Sequence, residues 1–144
     1  MRRLVFALFL AMLTLTACGG NGDTTVAPPP NATEAESTGN SRVDGVISEW
    51  RTDAPARMKA DAVKPETIEE HVYTSTSSLA DIKSHFSTLT SKGWHSVDRL
   101  NSANADGVLV LGYEHGTTSL VVGAIDMQKF GGSGTAIYTL KGTK

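Results

Sequence analysis

The chain has 144 residues, with 13 lysines and arginines against 15 aspartates and glutamates, and its formal net charge is −2 at pH 7. This slightly acidic balance gives no clustered basic surface for nucleic acid and no polybasic patch for anionic lipid. The single cysteine excludes a disulfide within the chain and a metal site built from several thiolates.

The first 17 residues have the three parts of a secretory signal peptide. Arg2 and Arg3 form its positive end, residues 4–15 form its apolar run, and Thr16 and Ala17 are the small residues before a cleavage site. A helix that spans a bilayer needs about 20 apolar residues, and this run is too short. The sequence therefore predicts a signal peptide over residues 1–17.

A cysteine follows directly, and the four residues that end with it resemble the lipobox of bacterial lipoproteins: Leu15, Thr16, Ala17 and Cys18. The resemblance implies that a diacylglyceryl group is attached to the Cys18 sulfur and that a peptidase then cuts before Cys18. Two or three acyl chains anchor a protein stably, whereas one chain holds it only marginally. The expected partner is therefore a membrane, which the protein contacts through acyl chains on Cys18.

The residue after the cysteine indicates the membrane at which the protein is expected. In lipoproteins of bacteria with two membranes, an Asp at this position often marks retention at the inner membrane, and this chain has Gly19 there. The resemblance thus implies the outer membrane in such a cell. In a cell with one membrane it implies the outer face of that membrane, so the protein is expected to be extracytoplasmic in both cases.

Residues 18–40 are predicted to be the lipidated cysteine and a flexible linker. The segment is rich in Gly, Asn, Thr and Pro, and Val26 is its only large apolar side chain. Such a segment buries too little apolar surface to offset the entropy cost of ordering. We interpret Pro28, Pro29 and Pro30 as a stiff part of this spacer, and the alternative is a proline-rich ligand for a binding groove.

Residues 41–144 suffice for one domain with one hydrophobic core. Four apolar residues at helical spacing predict a short amphipathic helix over residues 42–51: Val43, Val46, Ile47 and Trp50. Residues 53–65 have no clear period and contain two prolines, which predicts an irregular crossing. A strand is expected over residues 66–75.

The main helix is predicted over residues 78–92. Asp81 lies in its first turn, Lys92 lies in its last turn, and Gly93 is suited to end it. Its buried stripe has helical spacing: Leu79, Ile82, Phe86 and Leu89.

After residue 94 the apolar period changes to two, which is typical of strands. Strands are predicted over residues 95–100, 108–114, 119–127 and 135–141, with a two-residue turn at His115 and Gly116. The order of elements predicts an α+β fold. We expect a small antiparallel sheet of about five strands, with the main helix on one face and the short N-terminal helix in addition.

The strand over residues 119–127 is apolar on both of its faces, so it needs cover on both. Leu120, Val122 and Ala124 point to one face, and the other face carries three further apolar residues: Val121, Ile125 and Met127. Either the 42–51 helix covers the second face, or that face meets another molecule. In the second case Val121, Ile125 and Met127 are a candidate surface for a partner or ligand.

No catalytic, cofactor or metal motif is recognisable. Residues 131–135 approach the Gly-x-Ser-x-Gly pattern, but the last residue is Thr135 and the segment joins two strands rather than a strand and a helix. The four histidines lack metal-ligand spacing: His71, His85, His95 and His115. We therefore expect no metal, no cofactor and no enzymatic activity.

The whole chain is similar to small bacterial lipoproteins with one α+β domain, and this similarity implies no catalytic residue. Three functions stay open. The first is a non-enzymatic domain that binds an envelope protein or small ligand, the second is a subunit of an envelope assembly, and the third is an envelope hydrolase. A shallow polar cleft would favour the first, a flat apolar face the second, and a deep pocket with histidines and acids the third.

Overall fold

The computed structural model describes residues 23–101 and 105–144. These residues form one antiparallel sheet with a helix packed on each face, which confirms the predicted α+β fold. The predicted signal peptide and the lipobox residues lie outside the described residues: Leu15, Thr16, Ala17 and Cys18.

The sheet has six strands in the spatial order β1-β2-β6-β5-β4-β3, and all neighbouring strands are antiparallel. The strands are β1 (Ala32–Glu34), β2 (Glu69–Ser75), β3 (His95–Ser96), β4 (Val108–His115), β5 (Thr118–Asp126) and β6 (Thr135–Thr143). The turn between β4 and β5 lies at Gly116 and Thr117, one residue later than predicted, because His115 still pairs with Thr118. The predicted strand over residues 95–100 ends after Ser96, since a 3-10 turn over Asp98–Leu100 carries Leu100 into the core.

Strand β1 lies within the segment that the sequence analysis assigned to a flexible linker, so that prediction is wrong for residues 32–34. This strand contains no large apolar residue, so no apolar pattern in the sequence predicts it. It forms because the edge of β2 offers backbone hydrogen-bonding groups, and because Ala35 N–H donates to the carbonyl of Val72 just beyond the pairing.

Helix α1 (Ser41–Ala60) has 20 residues, and the Asn40 side chain caps it by accepting from the N–H groups of residues 42 and 43. The prediction that this helix ends at residue 51, with an irregular crossing to residue 65, is wrong as far as residue 60. The helix continues through Pro55, because Ala54 and Met58 are buried against the sheet. That packing offsets the backbone hydrogen bond that Pro55 removes.

Helix α2 (Leu79–Ser87) lies on the opposite face and is shorter than the predicted helix, because Thr88–Lys92 continue as a 3-10 helix. Ser78 and Asp81 form a reciprocal capping box at its start. Gly93 ends the segment with a φ of 87°, in the left-handed region that the sequence analysis expected.

Each face of the sheet carries its own apolar cluster. Leu120, Val122 and Ala124 pack with the α2 side, and the other face of β5 packs with α1. The hypothesis of a partner surface on that second face is wrong, since α1 covers its three residues and leaves them 4%, 0% and 7% exposed: Val121, Ile125 and Met127. The alternative, in which the N-terminal helix covers this face, is what the structure shows.

Candidate binding groove on the α2 face

Nine residues of α2 are too few to cover one whole face of a six-stranded sheet. Beside the helix a small groove with a volume of about 70 Å³ lies over β2, β5 and β6. It is lined by both apolar and polar residues: Val26, Ala27, Pro28, Pro29, Glu69, His71, Tyr73, Phe86, Leu120, Thr139 and Lys141. This lining offers both apolar contacts and hydrogen-bonding groups.

One wall of the groove is the chain's own proline-rich segment, residues 26–30, which we call the strap. Val26 packs against the apolar cluster of the α2 side, and Pro29 is buried. His85 Nε2 lies 3.2 Å from the carbonyl oxygen of Ala27, and because a carbonyl only accepts, the imidazole donates this hydrogen bond. The proline-rich segment thus lies against its own domain, rather than free of the domain as a spacer.

The far end of the strap is held by two hydroxyl groups. Ser75 and Ser77 both donate to the carbonyl oxygen of Pro30, at 2.6 and 3.2 Å. The Ala32 N–H donates to the carbonyl of Pro29 at 3.3 Å, and the chain then enters β1. These contacts fix the strap at both ends on the domain.

Two ring pairs border the strap. The rings of His71 and Tyr73 are stacked with centroids 5.9 Å apart, and the rings of His85 and Phe86 meet edge to face at 5.0 Å. Burial raises the pKa of Tyr73, and the charge of Glu34 adds to this shift, so the phenol stays neutral at physiological pH. The groove therefore presents the neutral phenol ring of Tyr73 beside its prolines.

The rim of the groove carries one ion pair and one close contact between a histidine and a carboxylate. Lys141 Nζ lies 2.8 Å from a carboxylate oxygen of Glu69, and His71 Nδ1 lies 2.6 Å from Glu34. The described hydrogen bonds of His71 link it to Glu34 and to no hydroxyl group, so they form no nucleophile–base pair. The arrangement is able to orient a ligand by charge and hydrogen bonding over an apolar floor.

The structure brings together only part of the four histidines, which the sequence did not assign to a site. His71 lines the groove and His85 holds the strap, whereas His95 is exposed on β3 and His115 packs 5.6 Å from the ring of Trp94. Within residues 23–101 and 105–144, no group of three histidines and acids is placed to hold a metal ion. The loop over residues 131–134 leads into β6 and lies between two strands, as predicted. The 3-10 turn over Met127–Phe130 that precedes it was not predicted, and it ends β5 one residue before the predicted strand end.

Sequence reasoning missed the strap and the residues that β6 contributes to the groove. Lys141 pairs in register with Glu69, and Thr139 pairs with His71. Opposite charges across two strands are a usable signal, but only once the strand pairing and register are known. Val26 gives no signal, because a single apolar residue in a polar segment has no period.

A separate charged cluster joins the end of α1 to β4 and the end of β6. Arg99 lies 2.8 Å from Asp61 and 2.6 Å from Glu114, and Lys144 lies 2.6 Å from the same Glu114 oxygen. Burial alone would raise the pKa of Glu114, but hydrogen bonds and charge from Lys144 and Arg99 outweigh it and lower the pKa below 4.5. All four charges are paired, which indicates a structural role.

A third polar site lies under α1. The buried Tyr138 hydroxyl donates to Glu70 at 3.3 Å, and Arg51 pairs with the same carboxylate at 2.7 Å. Burial, with the adjacent charge of Glu70, raises the pKa of Tyr138 well above its usual value. The phenol is therefore a permanent donor that joins the sheet to the α1 side.

The described residues contain no helix long and apolar enough to cross a bilayer. The groove, the charged cluster and the buried phenol all belong to one folded unit with a covered core on both faces of its sheet. Comparison of the chain with family models, curated proteins and solved structures finds no match of any of the three kinds.

Proposed function

We propose that the protein is a bacterial lipoprotein, anchored through acyl chains on Cys18 at the outer face of a membrane. In a cell with two membranes we place it at the outer membrane, because Gly19 follows the cysteine. The observation that carries the proposal is the sequence Leu15-Thr16-Ala17-Cys18 at the end of a short apolar run.

We propose further that its domain is a non-enzymatic binding or accessory module, with the groove beside the strap as its binding site. The support is the chemistry of the groove, which is shallow, apolar at its floor and charged at its rim. The assembly subunit is not proposed, because its argument needed an exposed second sheet face. The hydrolase is not proposed either, because no described contact favours it over a binding module.

The anchor is tested by replacing Cys18 and measuring whether the protein stays with the membrane. Cys18→Ala should move the protein from the membrane fraction to the soluble fraction of its own cells, because no acyl chain is then attached. Thr24→Ala, beyond the lipobox, is the matched control and should stay in the membrane fraction. Cys18→Ala protein that remains membrane-bound at the level of the unchanged chain would contradict the proposal.

The groove is tested by site-specific crosslinking in living cells. A photoreactive residue in place of Glu69, on the groove rim, should give discrete adducts with a partner or ligand. The same residue in place of Glu49, exposed on α1, is the control and should give none of them. Identical adduct patterns at both positions, or no adduct at position 69, would argue against a binding role for the groove.

A further inference from the structure

The first residue of the strap and its one fully buried residue are three positions apart. Val26 is half-buried and Pro29 is buried, whereas Ala27 and Pro28 between them are exposed. A polyproline II helix has three residues per turn, so residues 26 and 29 would lie on one edge of such a helix. Their burial is the pattern expected of a polyproline II segment that lies on a surface.

The sequence of the strap favours this conformation. Proline fixes its own φ at about −65°, and the residue before a proline is biased to the extended region. Ala27, Pro28 and Pro29 each precede a proline. The strap therefore loses little conformational freedom when it docks, and this pre-organisation favours binding.

The domain supplies the hydrogen bonds that a proline-rich ligand needs. Prolines have no N–H group, so the backbone of such a ligand offers mainly carbonyl acceptors. His85 Nε2 donates to the carbonyl of Ala27 at 3.2 Å. The hydroxyls of Ser75 and Ser77 donate to the carbonyl of Pro30 at 2.6 and 3.2 Å. All three donors belong to the domain and all the acceptors belong to the strap.

Aromatic side chains complete the site. Phe86 from α2 and Tyr73 from β2 line the groove together with Pro28 and Pro29. Proline-rich segments characteristically dock in aromatic-lined grooves. The groove also reaches Lys141 on β6, so a ligand longer than the strap finds further contacts there.

The strap is able to leave this site without opening the sheet. Strand β1 begins at Ala32, so release of residues 26–30 breaks no strand pair. Two of the five strap residues are exposed, and the bond from His85 lies at the surface. The strap therefore has few contacts to lose.

We propose that the strap is an intramolecular ligand, and that its seat on the α2 face is a binding site for a proline-rich segment of another protein. The incoming segment displaces residues 26–30 and accepts the hydrogen bonds from Ser75, Ser77 and His85. This inference rests on the proposed binding function of the groove and names its ligand class. A strap in the same chain acts at an effective concentration on the order of 1 mM, so it keeps the site closed until a partner competes.

The test measures binding of a fluorescein-labelled peptide, with the sequence of residues 24–31, to the full chain by fluorescence anisotropy. Pro29→Asp places a charge at the buried position and should release the strap. Pro28→Asp, the same change at the exposed neighbour, is the matched control. A strap seated for about nine-tenths of the time weakens the apparent affinity about tenfold. The peptide should therefore bind Pro29→Asp at least about tenfold more tightly than it binds Pro28→Asp or the unchanged chain.

Two further changes test the chemistry of the site. A peptide with alanine in place of its three prolines should bind Pro29→Asp several-fold more weakly, because it is no longer pre-organised. His85→Ala, added to Pro29→Asp, should also weaken binding, because one donor is lost. If Pro29→Asp lacks a cooperative urea transition, Val26→Asp replaces it as the opened chain.

Equal peptide affinity for the opened and closed chains, or equal affinity of the two peptides, overturns the proposal. Discrete crosslinks at position 69 in cells, without peptide binding to the opened chain, overturn the ligand class and leave the binding function standing. Neither crosslinks nor peptide binding overturns both. In sedimentation, a dimer of the unchanged chain that Pro29→Asp dissociates would assign the site to the strap of a second copy and overturn the partner.

Discussion

Gly123 lies on β5 directly beneath the indole ring of Trp50, which packs from α1 onto the face of the sheet. A Cβ atom at this position would overlap the ring atoms of Trp50, so the strand needs glycine for the close approach rather than for its backbone angles. Gly123→Ala should therefore lower the free energy of unfolding by about 1–3 kcal/mol, because the ring is displaced from its packed position. Urea unfolding followed by tryptophan fluorescence measures this change.

A second glycine supplies the control for that measurement. Gly45 lies in α1 with no atom within 4 Å of its would-be Cβ. Gly45→Ala should raise the free energy of unfolding by about 0.5–1 kcal/mol, because alanine loses less backbone entropy in a helix. Equal effects of the two substitutions would contradict the contact between Gly123 and Trp50.

Glu114 makes the stability of the domain depend on pH. Its pKa in the folded state is lower than in the unfolded chain, so its contribution is present above pH 4.5 and is lost as the pH falls through the folded-state pKa. Glu114→Gln should be less stable than the unchanged protein at pH 7, and the difference should disappear at acidic pH. The exposed Glu66→Gln is the control, and a Glu114→Gln deficit that persists at low pH would contradict this role.

Among the elements, α1 shows where nearby residues fail to predict the end of a helix. The start of α2 and the end of the 3-10 segment after it were predictable, because Ser78, Asp81 and Gly93 act within a turn of those ends. The end of α1 was not, because Pro55 is a strong local signal against a helix, and only packing of Ala54 and Met58 on the sheet overrides it. Ala54 and Met58 do continue the helical spacing of Trp50, but this signal is weaker than the opposing signal of the proline.

Pro55 tests the length of α1. Pro55→Ala restores a helical N–H and removes a ring from the helix interior, which stabilises the folded state. Alanine also gives the unfolded chain more freedom, which offsets part of this gain. The free energy of unfolding should therefore rise by about 1–2 kcal/mol. Urea denaturation of both proteins at one pH measures the change. Unchanged or lower stability would indicate that the helix gains nothing at this position.

The strap is the second element whose position could not be predicted from the sequence, and its packing is directly testable. Val26→Asp places a charge against the apolar cluster of the α2 side and should lower the free energy of unfolding by about 1–2 kcal/mol. Ala27→Asp adds the same charge at the next, exposed position and should change stability by less than about 0.5 kcal/mol. If the two variants unfold alike, the strap is not packed as described.

At the scale of the whole molecule, the sequence was sufficient for the fold class and for the two-sided apolar character of β5. It was not sufficient for the site, because the groove depends on the register of β2 against β6 and on a strap held mostly by backbone carbonyls. The alternation on β5 predicted that a second layer was needed, and α1 is that layer. The same burial removed the surface that had been the candidate for a partner.

The central claim, that acyl chains on one sulfur hold this domain at a membrane, is tested most directly by the intact mass of the protein purified from its own cells. The account predicts a chain that begins at Cys18 and carries the added mass of a diacylglyceryl group. A chain that begins at Met1, with a free Cys18 thiol and no added mass, would contradict it.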